Sequence, residues 1–334
     1  MTTQPSGDDA AVSYVSTGRL PSGHRIEALL EEAYGRFRTN DQGACSQVHP
    51  ALAAVPPELF GIAIVATSGA VHAVGEAGCE FAAMGVSRPF VFALVCQLLG
   101  PDGARTKLGV NSTGLPVDSV AAVERGADGR TNPMVDAGSL ATTSLVPGAS
   151  LDARWRLLQD GLSRFAGRTL ALDDPLYASA MRTDDAAGGL ARLMRTRGLL
   201  EIDPAEVIDL YAKQHAVRVN AKDLAVMGAT LANGGINPVT GERVVDAAAC
   251  HCTLAVMTTA GLYQTSGDWL CQVGFPGASG VGGGIVGVSP SKGGLGTFAP
   301  RLDEAGNSVK GQLVARFLSR RLGMDLFASK PTRS

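Results

Sequence analysis

The sequence is poor in aromatic and charged side chains, and these shortages exclude whole classes of function. Phe, Trp and Tyr make up 5% of the 334 residues and charged residues 18%, whereas hydrophobic residues make up 45%. The 29 basic and 31 acidic residues give a formal net charge of −2, and no basic stripe stands out. Nucleic-acid partners are therefore not expected, because a basic face is their usual footprint. The apolar fraction instead predicts a large buried core.

Membrane-spanning and secretory patterns are also lacking. No run of about eighteen uncharged apolar residues occurs, and residues 1–23 lack the basic start and apolar core of a signal peptide. We therefore expect a cytoplasmic protein without a membrane partner. The six cysteines are expected to be free thiols, since a chain of this length needs no disulfides. The Cys250-His251-Cys252 segment matches no common zinc spacing, so no metal site is predicted.

The N-terminal half combines helical and strand-like patterns. Residues 26–39 have the periodicity of an amphipathic helix, and residues 59–75 predict a hairpin around Gly69. Residues 89–100 predict an apolar helix that begins at Pro89 and ends at Gly100-Pro101. From about 151 to 235 the pattern is helical, and the last of these helices has a capped start at Asn220.

The C-terminal part alternates strand-like runs with glycine turns. These runs cover residues 269–275, 282–290 and 296–300, and a final helix follows at about 308–323. Strands near both ends with helices between them predict an α+β fold, in which one antiparallel sheet takes strands from both termini beside a helical subdomain. The cleft between the two parts is then the default site.

The same pattern predicts one domain with a tail at either end. We expect the domain to cover residues 25–326, with an α/β part at about 25–110 and 250–326 and a helical part at about 111–249. The segments 1–24 and 327–334 are expected to be flexible tails.

A glycine-rich segment, Ser279–Ile285, has two interpretations. A phosphate-binding loop needs a helix after it, but the residues that follow are strand-like. A tight turn or a close backbone approach to a ligand fits better. An exposed backbone N–H in such a loop can serve as an oxyanion donor.

Several short motifs occur one after another between about residues 40 and 325. They are Thr113-Gly114, Asn132–Val135 with Ala137-Gly138, Asp209–Tyr211, Asp223–Ala225 with Leu231–Gly235, Gly261–Tyr263 with Ser266-Gly267, Val273–Pro276 with Ser279–Gly284, and Gly306–Val309. In combination and order they resemble the serine-dependent glutaminases, which share the β-lactamase-like fold of the penicillin-recognising serine enzymes. The resemblance implies that fold, a small-molecule ligand, a homo-oligomer and no cofactor.

The resemblance also implies a serine nucleophile and a neutral lysine base three residues later. When Phe81 and Phe90 are used to fix the register, Gly85 falls on the serine position and Arg88 on the lysine position. Glycine has no nucleophile, and arginine stays protonated at physiological pH. Ser87 does not restore the pair, because the residue three places later is Phe90. We interpret Ser87 as an N-cap or turn residue and keep it as a catalytic candidate.

The positions that hold glutamine in the family have changed as well. Polar family residues correspond here to Val48, Asp136, Ala180, Ala186-Ala187 and Ala278. A site built for polar groups loses roughly 10⁴ in recognition when its partners are removed. The resemblance implies that Tyr211 and Tyr263, which line the family's cleft, remain here, as does Val281, whose backbone N–H belongs to the family's oxyanion hole.

Two further questions stay open at the level of sequence. His215 stands where the family usually has a cysteine, and it is either a new acid or base or a packing residue. Arg88 and Asp136 either pair with each other and fill the vacated site, or bind a carboxylate and a cation of a ligand.

The sequence thus predicts a glutaminase-fold protein without ordinary glutaminase activity, as a small-molecule-binding pseudoenzyme or an assembly partner. An alternative is an enzyme that acts on a different amide or amino-acid-like molecule through Tyr263 and Tyr211. A third hypothesis is a genuine glutaminase with an unrecognised nucleophile. An open cleft in which Arg88, Tyr211 and Tyr263 converge favours an enzyme or a binder, and a plugged cleft favours a structural role.

Overall fold

Strands from both ends of the chain form one antiparallel sheet in the computed structural model, which describes residues 18–125, 128–183 and 185–329. Its strands are β2 (Gly61–Ala66), β3 (Val71–Gly75), β6 (Gly277–Ser279), β7 (Gly284–Ser289) and β8 (Gly293–Phe298). Their order is β3-β2-β8-β7-β6, and every neighbouring pair is antiparallel. The predicted α+β fold class is confirmed.

Two short strand pairs lie outside this sheet. One joins β1 (Ala44–Cys45) to β9 (Arg301–Leu302), and the other joins β4 (Phe81–Ala82) to β5 (Arg218–Val219). The second pair ties the segment before Gly85 to the helical part of the chain.

The helices of the described residues pack against the sheet and against one another. They are α1 (Gly23–Phe37), α2 (Pro50–Ala53), α3 (Arg88–Leu108), α4 (Val120–Arg125), α5 (Asp136–Ser144), α6 (Leu151–Ala166), α7 (Asp174–Thr183), α8 (Asp185–Thr196), α9 (Pro204–His215), α10 (Ala221–Ala232), α11 (Ala247–Ala260), α12 (Ser266–Gln272) and α13 (Val309–Leu322). One apolar core lies between the sheet and α1 and α13. A larger core joins α3, α10, α11 and the central helices.

Helix α10 packs against β8 with almost no side chain between the two backbones. A Cβ on Gly296 would lie 2.0 Å from the Ala221 carbonyl oxygen, and one on Gly294 would lie 2.3 Å from that of Ala225. These contacts explain why β8 needs glycine. Asn220 caps the start of α10 through a reciprocal capping box with Asp223, as the sequence predicts.

Helix α3 bends sharply where the sequence predicts an end. Gly100 has φ +70° and ψ 159°, and Pro101 begins a further helical stretch that reaches Leu108. The predicted end at Gly100-Pro101 is thus an interruption, because helical structure resumes at once. The stretch Met84–Leu108 is long and apolar enough to cross a membrane, but most of it is buried inside the protein, as in a core helix.

The prediction of a strand at residues 269–275 is wrong. This segment begins within α12, which ends at Gln272. The indole N–H of Trp269 donates to the carbonyl oxygen of Phe275 at 2.6 Å, and the two rings meet edge to face. Packing of Trp269 against Phe275 therefore favours a helical turn over an extended strand. The greater part of the N-terminal tail, residues 1–17, and residues 330–334 lie outside the described residues.

Candidate functional site

Three segments of backbone meet at Gly85, the position that the motif register assigns to the family's serine. A Cβ on Gly85 would lie 2.8 Å from the hydroxyl oxygen of Tyr263 and 3.2 Å from the carbonyl oxygen of Ser279. A Cβ on Gly280 would lie 2.7 Å from the backbone nitrogen of Val86. The close approach of the 279–284 loop thus requires glycine at 280, in agreement with the interpretation of this segment as a turn.

Two residues of this junction have strained backbone. Met84 has φ 47° and Tyr263 has φ 58°, in the left-handed region that L-residues rarely occupy. Such strain typically costs about 1–3 kcal/mol and concentrates at functional sites. The hydroxyl of Tyr263 donates to the Ser279 carbonyl oxygen at 2.8 Å. The backbone that would present a nucleophile is therefore in place around a residue that has none.

Arg88, at the first position of α3, is the centre of a buried polar cluster. Its Nη1 donates to the Met134 carbonyl oxygen at 2.7 Å, and its Nη2 donates both to the Tyr211 hydroxyl at 2.7 Å and to Oδ1 of Asp136. The Tyr211 hydroxyl donates in turn to the same Oδ1 at 2.9 Å. The structure thus pairs Arg88 with Asp136. Arg88 is only 5% exposed, whereas the Asp136 side chain is 25% exposed.

Arg88, Tyr211 and Tyr263 keep their protonation states at neutral pH. Burial alone would lower the pKa of Arg88, but the Tyr211 oxygen and the Asp136 carboxylate outweigh burial and raise it. Burial raises the pKa of Tyr211 well above its usual value, and it raises the pKa of Tyr263. At neutral pH the Arg88 guanidinium is therefore a cation and the two phenols are neutral, and none of these three groups is a ready general base.

Ser87 is held within the 3₁₀ turn Met84–Ser87. Its Oγ donates to the Met84 carbonyl oxygen at 2.7 Å, and the residue is buried. Ser87 occupies the N-cap position of α3 without a side-chain capping hydrogen bond, and it is also the last residue of the turn, so both positional interpretations agree with the structure. The apolar space beside Ser87 is too small to admit a water molecule.

His215 lies at the last position of α9 and packs on Tyr211, with ring centroids 4.1 Å apart. Its Nε2 is buried and has no hydrogen-bond partner in the described part of the chain. Burial, followed by the nearby Arg88 cation, lowers its pKa well below the usual value. His215 is thus a neutral imidazole beside the Arg88 cluster.

Apolar side chains pack beside the 3₁₀ turn that contains Gly85. A small cluster is formed by Leu52, Ala82, Met84, Leu176 and Ala216, with Leu172, Tyr177 and Val281 packed against it. Val281 therefore joins the site by its side chain. Its backbone N–H, the family's oxyanion donor, makes no hydrogen bond to any described residue. Ala180 is buried, and the side chain of Ala186 is outside those described.

Two polar interactions in this region are not predicted by the sequence analysis. The Met134 carbonyl oxygen is an acceptor for Arg88, and no side-chain pattern signals it. Tyr177 donates its hydroxyl to Asp209, whose carboxylate also pairs with Lys213 at 2.7 Å. The four-residue spacing of Asp209 and Lys213 on one helix is a signal that could have found the second pair.

Two open grooves lie away from this cluster. One, of about 710 Å³, is lined by residues that include Arg105, Arg125 and Arg130. The other, of about 660 Å³, lies between the 42–44 segment and α13. Neither groove is lined by Gly85 or Arg88. Among the described residues, no group of three or more His, Cys, Asp or Glu side chains could hold a metal ion.

The antiparallel sheet, the helical part and the turn that opens α3 at Gly85 define a protein of β-lactamase-like fold. Within that class, the chain belongs to the glutaminase family, whose family model, described as Glutaminase, matches residues 43–327. The family resemblance read from the motifs is confirmed.

Curated relatives are similar over almost the whole chain. "Glutaminase 2" of Yersinia pestis is 57% identical over 333 residues, which cover 99% of this chain and 98% of that protein. "Glutaminase" of Brucella suis biovar 1 (strain 1330) is 41% identical over 309 residues, which cover 92% of this chain and 98% of the relative.

Solved structures agree with the fold. A structure described as probable glutaminase ybaS has a TM-score of 0.91 and 37% identity, covering 92% of this chain and all of its own. A probable glutaminase from Bacillus subtilis, complexed with 6-diazo-5-oxo-L-norleucine, has a TM-score of 0.80 and 25% identity, covering 92% of this chain and 98% of its own.

Proposed function

We propose that this member of the glutaminase family does not hydrolyse L-glutamine as an ordinary glutaminase and is a small-molecule-binding pseudoenzyme. One observation carries the proposal. The guanidinium at the family's lysine position is buried and bound by Met134, Asp136 and Tyr211, three residues from a glycine at the serine position. Neither half of the expected nucleophile and base is available at these positions.

Two neighbouring hydroxyls are not activated as substitutes. Ser87 donates its hydroxyl to a backbone carbonyl in a closed apolar space, and Tyr263 is a neutral phenol bonded to Ser279. An activated hydroxyl needs an adjacent base, and Arg88 cannot accept a proton. Removal of a nucleophile costs about 10⁶ in kcat in a serine protease, which gives the scale of the expected loss.

The ligand that the remaining groups favour is an amino-acid-like or amide-bearing small molecule. Oδ1 of Asp136 accepts from Arg88 and Tyr211, whereas the described residues make no hydrogen bond to its Oδ2. That oxygen, on a side chain with 25% exposure, can accept from an ammonium or amide N–H. The Val281 N–H can donate to a carbonyl or carboxylate oxygen.

A second candidate function is hydrolysis of a different amide through Tyr263 and Tyr211. It is favoured by the strained backbone at Tyr263 and by the unpartnered Val281 N–H. Turnover of a panel of small amides, lost in Tyr263→Phe and Tyr211→Phe, would support it. From the family resemblance we also propose a cytoplasmic homo-oligomer, which light scattering of the purified chain would test.

The experiment that tests the proposal uses 6-diazo-5-oxo-L-norleucine, the compound in the Bacillus subtilis complex. Purified protein is incubated with this electrophilic glutamine analogue, and its intact mass is measured beside the thermal shift produced by glutamine and glutamate. We expect no covalent adduct and a raised melting temperature with an amino-acid-like ligand. An adduct would overturn the loss of activity, and its position would identify the nucleophile. No shift with any amino acid or amide would overturn the binding function.

A further inference from the structure

The larger of the two open grooves lies beside the end of α3 and is rich in arginine. It encloses about 710 Å³ and is lined by Arg105, Arg125 and Arg130, with Asp128 as the one acidic residue among the described residues that line it. Small-molecule sites usually have volumes of about 300–1,000 Å³. The groove is therefore large enough for a small molecule and carries an excess of positive charge, although the formal net charge of the whole chain is −2.

The three guanidinium groups are only partly neutralised by neighbouring carboxylates. Arg125 makes no ion pair with any residue that the structure describes. Nη2 of Arg105 lies 3.7 Å from Oδ1 of Asp102, whose side chain is almost fully exposed, and Nη1 of Arg130 lies 3.0 Å from Oδ2 of Asp128. Exposed pairs of this kind are weak. The arginines therefore remain available to an anion that enters the groove.

Unused hydrogen-bonding groups line the same groove. The backbone N–H groups of residues 110–113 donate to no described residue. Thr131 also lines the groove and is only 6% exposed, and its Oγ1 is buried without a hydrogen-bond partner among the described residues. A buried hydroxyl without a partner is costly, and such a group in a folded protein calls for an explanation. A ligand in the groove would supply the missing partner.

We propose that this groove binds a small molecule that carries two or more negative charges on phosphate or carboxylate groups. Guanidinium groups bind both kinds of oxyanion through paired N–H donors, and free backbone N–H groups add further donors. Val110, Leu115 and Ala122 line the groove as well and offer apolar contact to the organic part of such a molecule. A compact anion fits better than a nucleic acid, because the chain has no basic stripe outside the groove.

One side chain connects the groove to the cluster around Arg88. Nδ2 of Asn132 donates to the carbonyl oxygen of Asn111, which lines the groove, and Oδ1 of Asn132 accepts from the backbone N–H of Met134, both at 2.9 Å. The Met134 carbonyl oxygen in turn accepts from Arg88. An anion in the groove would therefore contact a segment that is hydrogen-bonded to the one that holds Arg88. Its binding requires no hydrolysis of glutamine.

The test is calorimetric titration of the purified full-length chain with pyrophosphate and with citrate at constant ionic strength, beside singly charged acetate. We expect binding of at least one of the two polyanions and none of acetate. Binding of pyrophosphate alone would identify a phosphate ligand, binding of citrate alone a carboxylate ligand, and binding of both a site that selects by charge. If neither polyanion binds at millimolar concentration, the proposal is overturned.

Variants of the groove locate the binding. Arg125→Gln should weaken it about tenfold, because a charge-assisted contact is lost. Arg156→Gln is the matched control, since Arg156 is exposed on α6, makes no ion pair with a described residue and lines neither groove. Equal affinity in Arg125→Gln and wild type, or an equal loss in Arg156→Gln, would overturn the assignment to this groove.

The buried hydroxyl of Thr131 provides a measurement that separates binding from folding. Thr131→Val keeps the shape of the side chain and removes an unpartnered polar group, so its stability in urea should equal or exceed that of wild type. Its affinity for the same polyanion should nevertheless fall several-fold. A stable Thr131→Val variant that binds the polyanion as tightly as wild type would contradict the role of this hydroxyl as a ligand contact.

Discussion

A Cβ atom on Gly85 would lie 2.8 Å from the hydroxyl oxygen of Tyr263. The space beside this glycine is therefore occupied by a tyrosine that is itself bonded to Ser279 at 2.8 Å. A side chain at position 85 would have to displace Tyr263 or the loop behind it. The absence of a serine at position 85 is therefore accompanied by packing that leaves no room for its side chain.

Replacing Gly85 by serine should destabilise the protein and should not create a glutaminase. Overpacking of this kind costs about 1–3 kcal/mol, and Arg88 would remain protonated beside the new hydroxyl. Urea unfolding and ammonia release measure the two effects. Gly267→Ser is the matched control, because a Cβ on this exposed glycine meets nothing within 4 Å. A Gly85→Ser variant that is as stable as wild type, or that hydrolyses glutamine, would contradict the packing or the role of Arg88.

Removing the guanidinium of Arg88 should be strongly destabilising. Arg88→Met leaves Asp136 and the Met134 carbonyl without their cationic partner, and breaking a buried ion pair costs about 3–5 kcal/mol. Adding Asp136→Asn should recover part of this loss, because the carboxylate no longer carries an unpaired charge. A double-mutant cycle in urea should give a coupling energy of at least ~1 kcal/mol. Additive single effects would show that the two side chains do not act as a pair.

His215 should make the stability of the protein depend on pH. Its pKa is lowered in the folded state, so between the folded value and the ordinary value of about 6.5 the unfolded chain binds more protons. The neutral histidine is accommodated fully above about pH 6.5, and stability is lost as the pH falls below it. The loss should approach about 1.4 kcal/mol per pH unit.

The matched variant for this measurement is His215→Cys, which places the family's usual residue at the position. Unfolding by urea at pH 7.5, 6.5 and 5.5 should show a flatter dependence for His215→Cys than for wild type. Parallel curves would mean that protonation of His215 is not what destabilises the protein in acid.

Local features of the fold could be predicted, because they depend on neighbouring residues. The capping box of Asn220 and Asp223 and the break at Gly100 are local, and both are in the structure. The strand prediction for the segment that begins at Trp269 is wrong because its apolar run fits a strand as well as a helix, and only its packing on Phe275 separates the two.

Part of the candidate site could likewise be predicted from the sequence, and part of it could not. The register of Gly85 and Arg88 comes from motifs, but the cluster around Arg88 needs α3, α9 and the 132–136 segment to meet. Sequence alone left open whether Arg88 and Asp136 pair, because that depends on distance across more than forty residues of chain. Arg88 also donates to the backbone carbonyl oxygen of Met134, and the type of residue at that position does not predict this contact.

The most direct test of the central claim is ammonia release from L-glutamine. Wild type and Tyr263→Phe are purified from a host without its own glutaminase and are assayed at high enzyme concentration. We predict no release by wild type above the Tyr263→Phe variant, because Gly85 and Arg88 offer neither nucleophile nor base. Glutamine turnover by wild type that disappears in Tyr263→Phe would contradict this account and would require another nucleophile.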